Sequence, residues 1–190
     1  MSLSEINSEI VPELIKISNA SEIDFDAISA LYISAFPSDE RREIDVLKKM
    51  INHHSEMAFY VISLNEHFAG FLILWHFEKF LYVEHLAIKD DLRNNGIGKK
   101  IFALMKQIFI GTILLEVEPP LDELSKRRIG FYEGVGFRVV LKKYLQPAYA
   151  KNKKSIPMWV LSNNDRISEN DLLEFITTIR LIVYEQPKEI

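Results

Sequence analysis

The sequence predicts one mixed α/β (α+β) domain, with a mostly antiparallel central sheet flanked by helices and an added C-terminal helix. Three observations predict it. Residues 57–88 hold three runs rich in aromatic and β-branched residues, broken only by short polar turns. From Ile97 the apolar spacing changes to that of a helix. At 190 residues, with 48% of positions hydrophobic and 26% charged, the chain falls in the range of a single domain with a sizeable core.

Taken in order, Asp24 is placed to cap a helix over residues 25–35, where Phe25, Ile28, Leu31, Tyr32 and Ala35 recur at helical spacing and Pro37 stops the run. A second helix is expected over 41–52. Runs 57–64, 68–77 and 80–88 then read as consecutive strands of a meander. In the next helix Ile97, Ile101, Leu104, Met105 and Ile108 share one face, and Lys99, Lys100, Lys106 and Gln107 the other. A strand at 112–117, a short helix at 121–132 and strands at 137–145 and 156–161 follow. Ser168 to Asp171 resembles a capping box ahead of a stripe of Leu172, Ile176, Ile179 and Val183, so a last helix is expected there.

Composition removes several classes of function. No run of 18 apolar residues is present to span a bilayer, and residues 1–11 lack the basic-then-apolar order of a signal peptide, so a cytoplasmic protein without membrane association is expected. Cysteine is absent, which excludes disulfides, a thiol nucleophile and thiolate metal sites. The adjacent pair His53 and His54 lacks ligand spacing, and no metal is expected. A formal charge of −4 argues against a nucleic-acid partner and favours a cationic one.

The segment Arg93-Asn94-Asn95-Gly96-Ile97-Gly98 joins a buried strand to the amphipathic helix. A pyrophosphate needs several converging N–H donors, which a glycine turn feeding a helix N-terminus supplies together with the positive end of the helix dipole. Gly96 can take a positive φ, the bare Gly98 admits phosphate oxygens, and Arg93 adds a charged fork. No third glycine of a dinucleotide fingerprint follows, and no Gly-Lys-Ser/Thr of a nucleotide P-loop.

In this segment the chain resembles the GNAT superfamily of acyl-CoA-dependent N-acetyltransferases, whose central motif is Arg/Gln-x-x-Gly-x-Gly/Ala after the fourth strand. A second segment, Phe131-Tyr132-Glu133-Gly134-Val135-Gly136-Phe137, is similar to the family's Phe-Tyr-x-x-x-Gly-Phe. The likeness covers residues 13–161, leaving an N-terminal arm, 1–12, and a C-terminal helical extension, 162–190, expected to pack on the same domain. Where the family often carries Asn seven residues before the tyrosine, this chain has Ser125.

The resemblance implies acetyl-CoA as co-substrate and direct acetyl transfer to a primary amine, with a small molecule or peptide as acceptor. It implies that strands 4 and 5 splay apart, often with a bulge in strand 4, and that the pantetheine pairs with backbone at Leu86, Ala87 and Ile88. It places the cofactor further on Arg93, Asn94, Asn95, Gly96, Ile97, Gly98, Lys99, Ser125 and Phe131. Tyr132 matches the family's tyrosine, which protonates the departing thiolate. Glu84 is the first candidate for the base, because strand parity groups it with Phe80, Tyr82, Leu86 and Ile88; the same parity sends His85 to the opposite face. Phe36, Glu116 and Glu118 are the candidate acceptor contacts. Two alternatives stand beside this reading: transfer of another acyl group or to another nucleophile, and a non-catalytic CoA-binding regulatory module that forms a homodimer through the stripe 172–183.

Overall fold

The structure is a computed structural model that describes residues 11–184. Seven strands form one sheet in the order β1-β2-β3-β4-β5-β7-β6. The strands are β1 (Glu13–Ile17), β2 (Met57–Leu64), β3 (His67–His76), β4 (Phe80–Ile88), β5 (Thr112–Val117), β6 (Arg138–Gln146) and β7 (Ile156–Ser162). The helices are α1 (Phe25–Ala35), α2 (Ile44–His53), α3 (Ile97–Ile108), α4 (Glu123–Gly134) and α5 (Glu169–Ile182). Only the β4–β5 pair is parallel among the described residues. The mixed, mostly antiparallel α/β fold is the one expected.

Two apolar cores sit on the two faces of this sheet. Phe25, Ile28, Leu31 and Tyr32 of α1, Leu47, Met50 and Ile51 of α2, and Phe175, Ile176 and Ile179 of α5 bury against one face. Ile97, Ile101, Phe102 and Met105 of α3 and Ile129 of α4 bury against the other. The 3.6-residue period of each helix and the alternation of each strand put these side chains where two layers can close over a sheet.

Local chemistry accounts for most element ends. The Asp24 carboxylate accepts the Asp26 N–H at the start of α1, as its cap position demands. Ser168 does the same for Asp171 at α5. Asn65 and Glu66 both take positive φ, 49° and 65°, which lets a two-residue turn join β2 to β3. Gly70 on β3 faces a different demand. A Cβ there would lie 2.1 Å from the Ala87 carbonyl oxygen, a backbone atom of β4 that cannot rotate away. Gly70→Ala should therefore destabilise the fold by about 3 kcal/mol in denaturant unfolding. A loss below about 0.5 kcal/mol would show that β3 and β4 separate freely there.

Three expectations are corrected. β1 was not expected; it is a half-exposed edge strand whose side chains alternate too weakly to register as a strand. Helix α2 begins at Ile44 rather than 41, because the Arg42 side chain turns into the interior and its N–H donates to the Tyr32 hydroxyl at 3.0 Å, holding the preceding backbone extended. The α5 stripe is not a free surface: Ile176, Ile179 and Val183 are buried in the chain's own core and Leu172 is half-buried against it. The arm at 1–10 and the end of the extension at 185–190 lie outside the described residues. No helix among the described residues is long and apolar enough to cross a membrane.

Candidate functional site

β4 and β5 pair from Phe80 opposite Thr112 to Val83 opposite Leu115, and no further. β4 runs on to Ile88, still paired on its other side with β3, so the backbone of Leu86, Ala87 and Ile88 presents a free edge to the gap. The separation opens at a bulge. Leu74 pairs with Val83 and Ile73 with His85, which leaves Glu84 as the inserted residue. A cavity of about 850 Å³ fills the gap, bounded by the β4 edge, the start of α3, the C-terminal part of α4 and the segment after α1.

The turn before α3 and the first residues of that helix line the cavity. Asn94 takes φ 65° and Gly96 φ 76°, both left-handed, and α3 starts at Ile97 with no side chain capping it. The first N–H groups of a helix have no partner within the helix, so Ile97, Gly98 and Lys99 offer donors and the positive end of the α3 dipole. Gly96 has open space around it, and its requirement is the left-handed φ alone. At Gly98 the constraint is packing, since a Cβ would lie 2.9 Å from the Phe131 ring of α4. This close approach locks the two sequence motifs together. Arg93 is half-exposed and folded back, its Nε donating to the Ile88 carbonyl at 3.0 Å and Nη2 reaching Asp90 at 2.7 Å. Asn95 donates to the Leu92 carbonyl.

Tyr132 and Phe131 line the cavity. The Tyr132 ring packs on Phe131 at 5.3 Å and on Phe102 at 5.6 Å between centroids. Burial, opposed by the Arg128 guanidinium, pushes the Tyr132 phenol up to about 12, so it is protonated at neutral pH and can donate. Ser125 is not at the cavity. Its hydroxyl and N–H close a reciprocal capping box with Asp122 at the start of α4.

Glu84 is placed differently from the expectation. Its side chain is fully buried; Oε1 pairs with Arg42 Nη1, and Oε2 accepts the Trp75 indole N–H at 2.7 Å. Arg42 is 4% exposed, also donates to the Val183 carbonyl, and stacks 4.7 Å from the centre of the Tyr149 ring. The inserted residue also reverses the parity of the strand. Phe80, Tyr82 and Ala87 belong to one core, while Leu81, Val83, Leu86 and Ile88 belong to the other. His85 therefore lies on the Tyr82 side, against the expectation that it faces away. Its ring packs on Phe36 at 4.2 Å and Tyr32 at 5.2 Å, and its Nε2–H donates to the Glu40 carbonyl at 2.9 Å. Burial drives its pKa down to about 3 and keeps it neutral.

The other proposed acceptor contacts separate. Phe36, at the end of α1, lines the cavity beside His85. Glu116 on β5 faces a group of phenols and accepts the Tyr184 hydroxyl at 2.7 Å; burial pushes it up to about 7. Glu118, just past β5, forms an ion pair with Arg128 of α4. Sequence reasoning did not single out Glu40, Arg42, Tyr149 or Tyr184. No local pattern marks them, because each matters through partners far away in the chain. Among the described residues no group of three His, Asp or Glu side chains could hold a metal ion.

Comparison with known proteins places this geometry in a family. Residues 55–139 match the model described as "Acetyltransferase (GNAT) domain". The structure of a Bacteroides thetaiotaomicron protein, "Putative acetyltransferase from GNAT family", superposes with a TM-score of 0.83 at 30% identity, covering 93% of this chain and 99% of that one. "Putative acetyltransferase YjbC" of Bacillus subtilis (strain 168) is 29% identical over 105 residues, 54% of this chain and 52% of that protein. The chain thus spans about half the length of that curated relative. A Bacillus subtilis acetyltransferase solved in complex with CoA shares the fold at 19% identity, with a TM-score of 0.53 over 81% of this chain and 97% of that one.

Proposed function

The chain belongs to the GNAT family of acetyltransferases, and from that premise we propose that it transfers an acetyl group from acetyl-CoA directly to a primary amine. The observation that carries the reading is the free β4 edge at Leu86–Ile88 opening, across one cavity, onto both the uncapped start of α3 and the Tyr132 phenol. The CoA complex of the Bacillus subtilis neighbour supports the choice of donor.

In this reading the pyrophosphate sits on the N–H groups of residues 96–99, with Arg93 swinging from Asp90 to meet it. The pantetheine amides pair with the β4 edge as an added strand. An N–H of the same segment polarises the thioester carbonyl and holds the oxyanion as the amine nitrogen attacks. Tyr132 gives its proton to the departing sulfur. Glu84, held by Arg42 and Trp75, anchors the bulge that opens the gap and is not the base. Phe36 and Glu118 line the acceptor side, and the reaction runs in the cytoplasm without a metal.

Acetyl-CoA at about 100 times its Kd should stabilise the fold by about 2.7 kcal/mol, read as a rise in Tm. A CoA-release screen of amines, amino acids, polyamines and peptide N-termini then identifies the acceptor. No rise in Tm at millimolar acetyl-CoA would sink the assignment of the donor.

A further inference from the structure

Glu40 is a cavity carboxylate whose neighbouring guanidinium, Arg128, is already paired with Glu118. Glu40 lies in the turn after α1 and lines the cavity with Tyr132, Glu118 and Arg128. Arg128 sits within electrostatic reach of Glu40, Glu118 and Tyr132 alike, but its ion pair is with Glu118. Two carboxylates and one guanidinium leave a net negative charge beside the phenol, where a cation gains most from entering a partly desolvated site. The Glu40 backbone is fixed independently, because its carbonyl accepts the His85 Nε2–H at 2.9 Å. That bond leaves His85 Nδ1 as a lone-pair acceptor, and Nδ1 is buried with no hydrogen-bond partner, on a ring that lines the same cavity. Glu84 Oε1, another acceptor, lies 3.9 Å from it. A half-free carboxylate beside a protonated phenol on the cavity lining describes a place for a group that brings N–H donors and a positive charge.

We propose that Glu40 is the base that takes the proton of the acceptor, and that the acceptor is accordingly an aliphatic primary amine arriving as its ammonium ion. This rests on the acetyl-transfer reading above. The ammonium passes one proton to the Glu40 carboxylate; the freed lone pair forms the C–N bond to the thioester carbon. As the intermediate collapses, the C–S bond breaks and the thiolate takes the Tyr132 proton. The second nitrogen proton restores Tyr132, the third stays on the amide, and Glu40 releases its proton to solvent, so CoA thiol, amide and one proton leave together.

The electrostatic setting suits the task. Burial, then the Glu118 charge, raise Glu40 to about 7, with Arg128 opposing and Asp39 adding slightly. On its own segment Arg41, Arg42 and Glu43 follow, Arg127 of α4 also lines the cavity, and His85, packed from β4, is neutral. A carboxylate near neutrality exchanges protons with an ammonium ion far better than one near 4.

The test uses the full chain in two stages. Acetyl-CoA must first raise Tm of the wild type; without that rise the donor reading falls and this proposal falls with it. CoA release is then followed with protonated acceptors (aliphatic mono- and polyamines, amino sugars, amino acids, peptide N-termini) and with neutral ones (anilines, alcohols). Turnover confined to neutral acceptors, or absent with every protonated amine, overturns the proposal. With the best amine, kcat/KM should rise with pH through about 7 as Glu40 ionises. Glu40→Gln should lower kcat/KM by about 100-fold and remove that limb, with the acetyl-CoA rise in Tm unchanged. Glu40→Asp should keep the limb at reduced rate. Glu118→Gln removes a like charge, so the limb should move to lower pH. A limb that persists in Glu40→Gln, or that Glu118→Gln leaves in place, overturns the assignment.

Discussion

Tyr132→Phe is expected to lower kcat by about 100-fold while changing the affinity for acetyl-CoA by no more than about twofold. The ring is held by Phe131, Phe102 and Phe137, and a phenylalanine keeps all three contacts. Only the hydroxyl is lost. With a pKa of about 12 that hydroxyl carries its proton throughout the working range, so its contribution is donation to a sulfur that becomes negative only as the C–S bond breaks. The loss should therefore appear in kcat, with Tm and the acetyl-CoA shift close to wild type. Stopped-turnover assays and thermal melts on the same preparations separate the two effects. Equal turnover in the variant would remove the phenol from the mechanism and leave the thiolate to depart unaided.

Arg42→Ala should have the largest effect on stability, a loss of about 3–5 kcal/mol. Removing the guanidinium leaves the Glu84 carboxylate fully buried with the Trp75 indole as its remaining partner, and also strips a donor from the Val183 carbonyl. The segment between α1 and α2, the bulge in β4 and the end of α5 all meet at this one side chain. Its loss should loosen the gap between β4 and β5 as well as lower Tm. Adding Glu84→Gln removes the orphaned charge and should restore part of the stability, a coupling that a double-mutant cycle measures directly. A single variant that loses less than about 1 kcal/mol would mean that the pair is solvated in solution and does not anchor the bulge.

Several parts of the fold were legible because their signals are local. The boundaries of α1, β2, β4 and β5 follow from apolar periodicity and from Asp24 and Pro37 at the ends of α1. Gly96 announced the left-handed turn, and Phe131-Tyr132 pointed to the helix that meets it. His85 was misplaced for one reason. Parity arguments assume an uninterrupted strand, and a single inserted residue reverses every side chain beyond it. Ser125 was not read as a cap, although a small hydroxyl three residues after an aspartate can serve one, and here it does.

What the sequence determined by itself is the family-level frame: a strand, a glycine turn and an amphipathic helix that together form an anion cradle, and a tyrosine carried to it on a second helix. These depend on neighbours within a few residues, where hydrophobic period and backbone freedom speak directly. Only the tertiary structure decided the charge pattern of the cavity. Glu84 meets Arg42 from 42 positions away, Glu118 meets Arg128 across 10, and Arg42 reaches the Val183 carbonyl across 141. Whether a carboxylate is an anchor or a base depends on burial and on which cation reaches it, and both are properties of the folded arrangement.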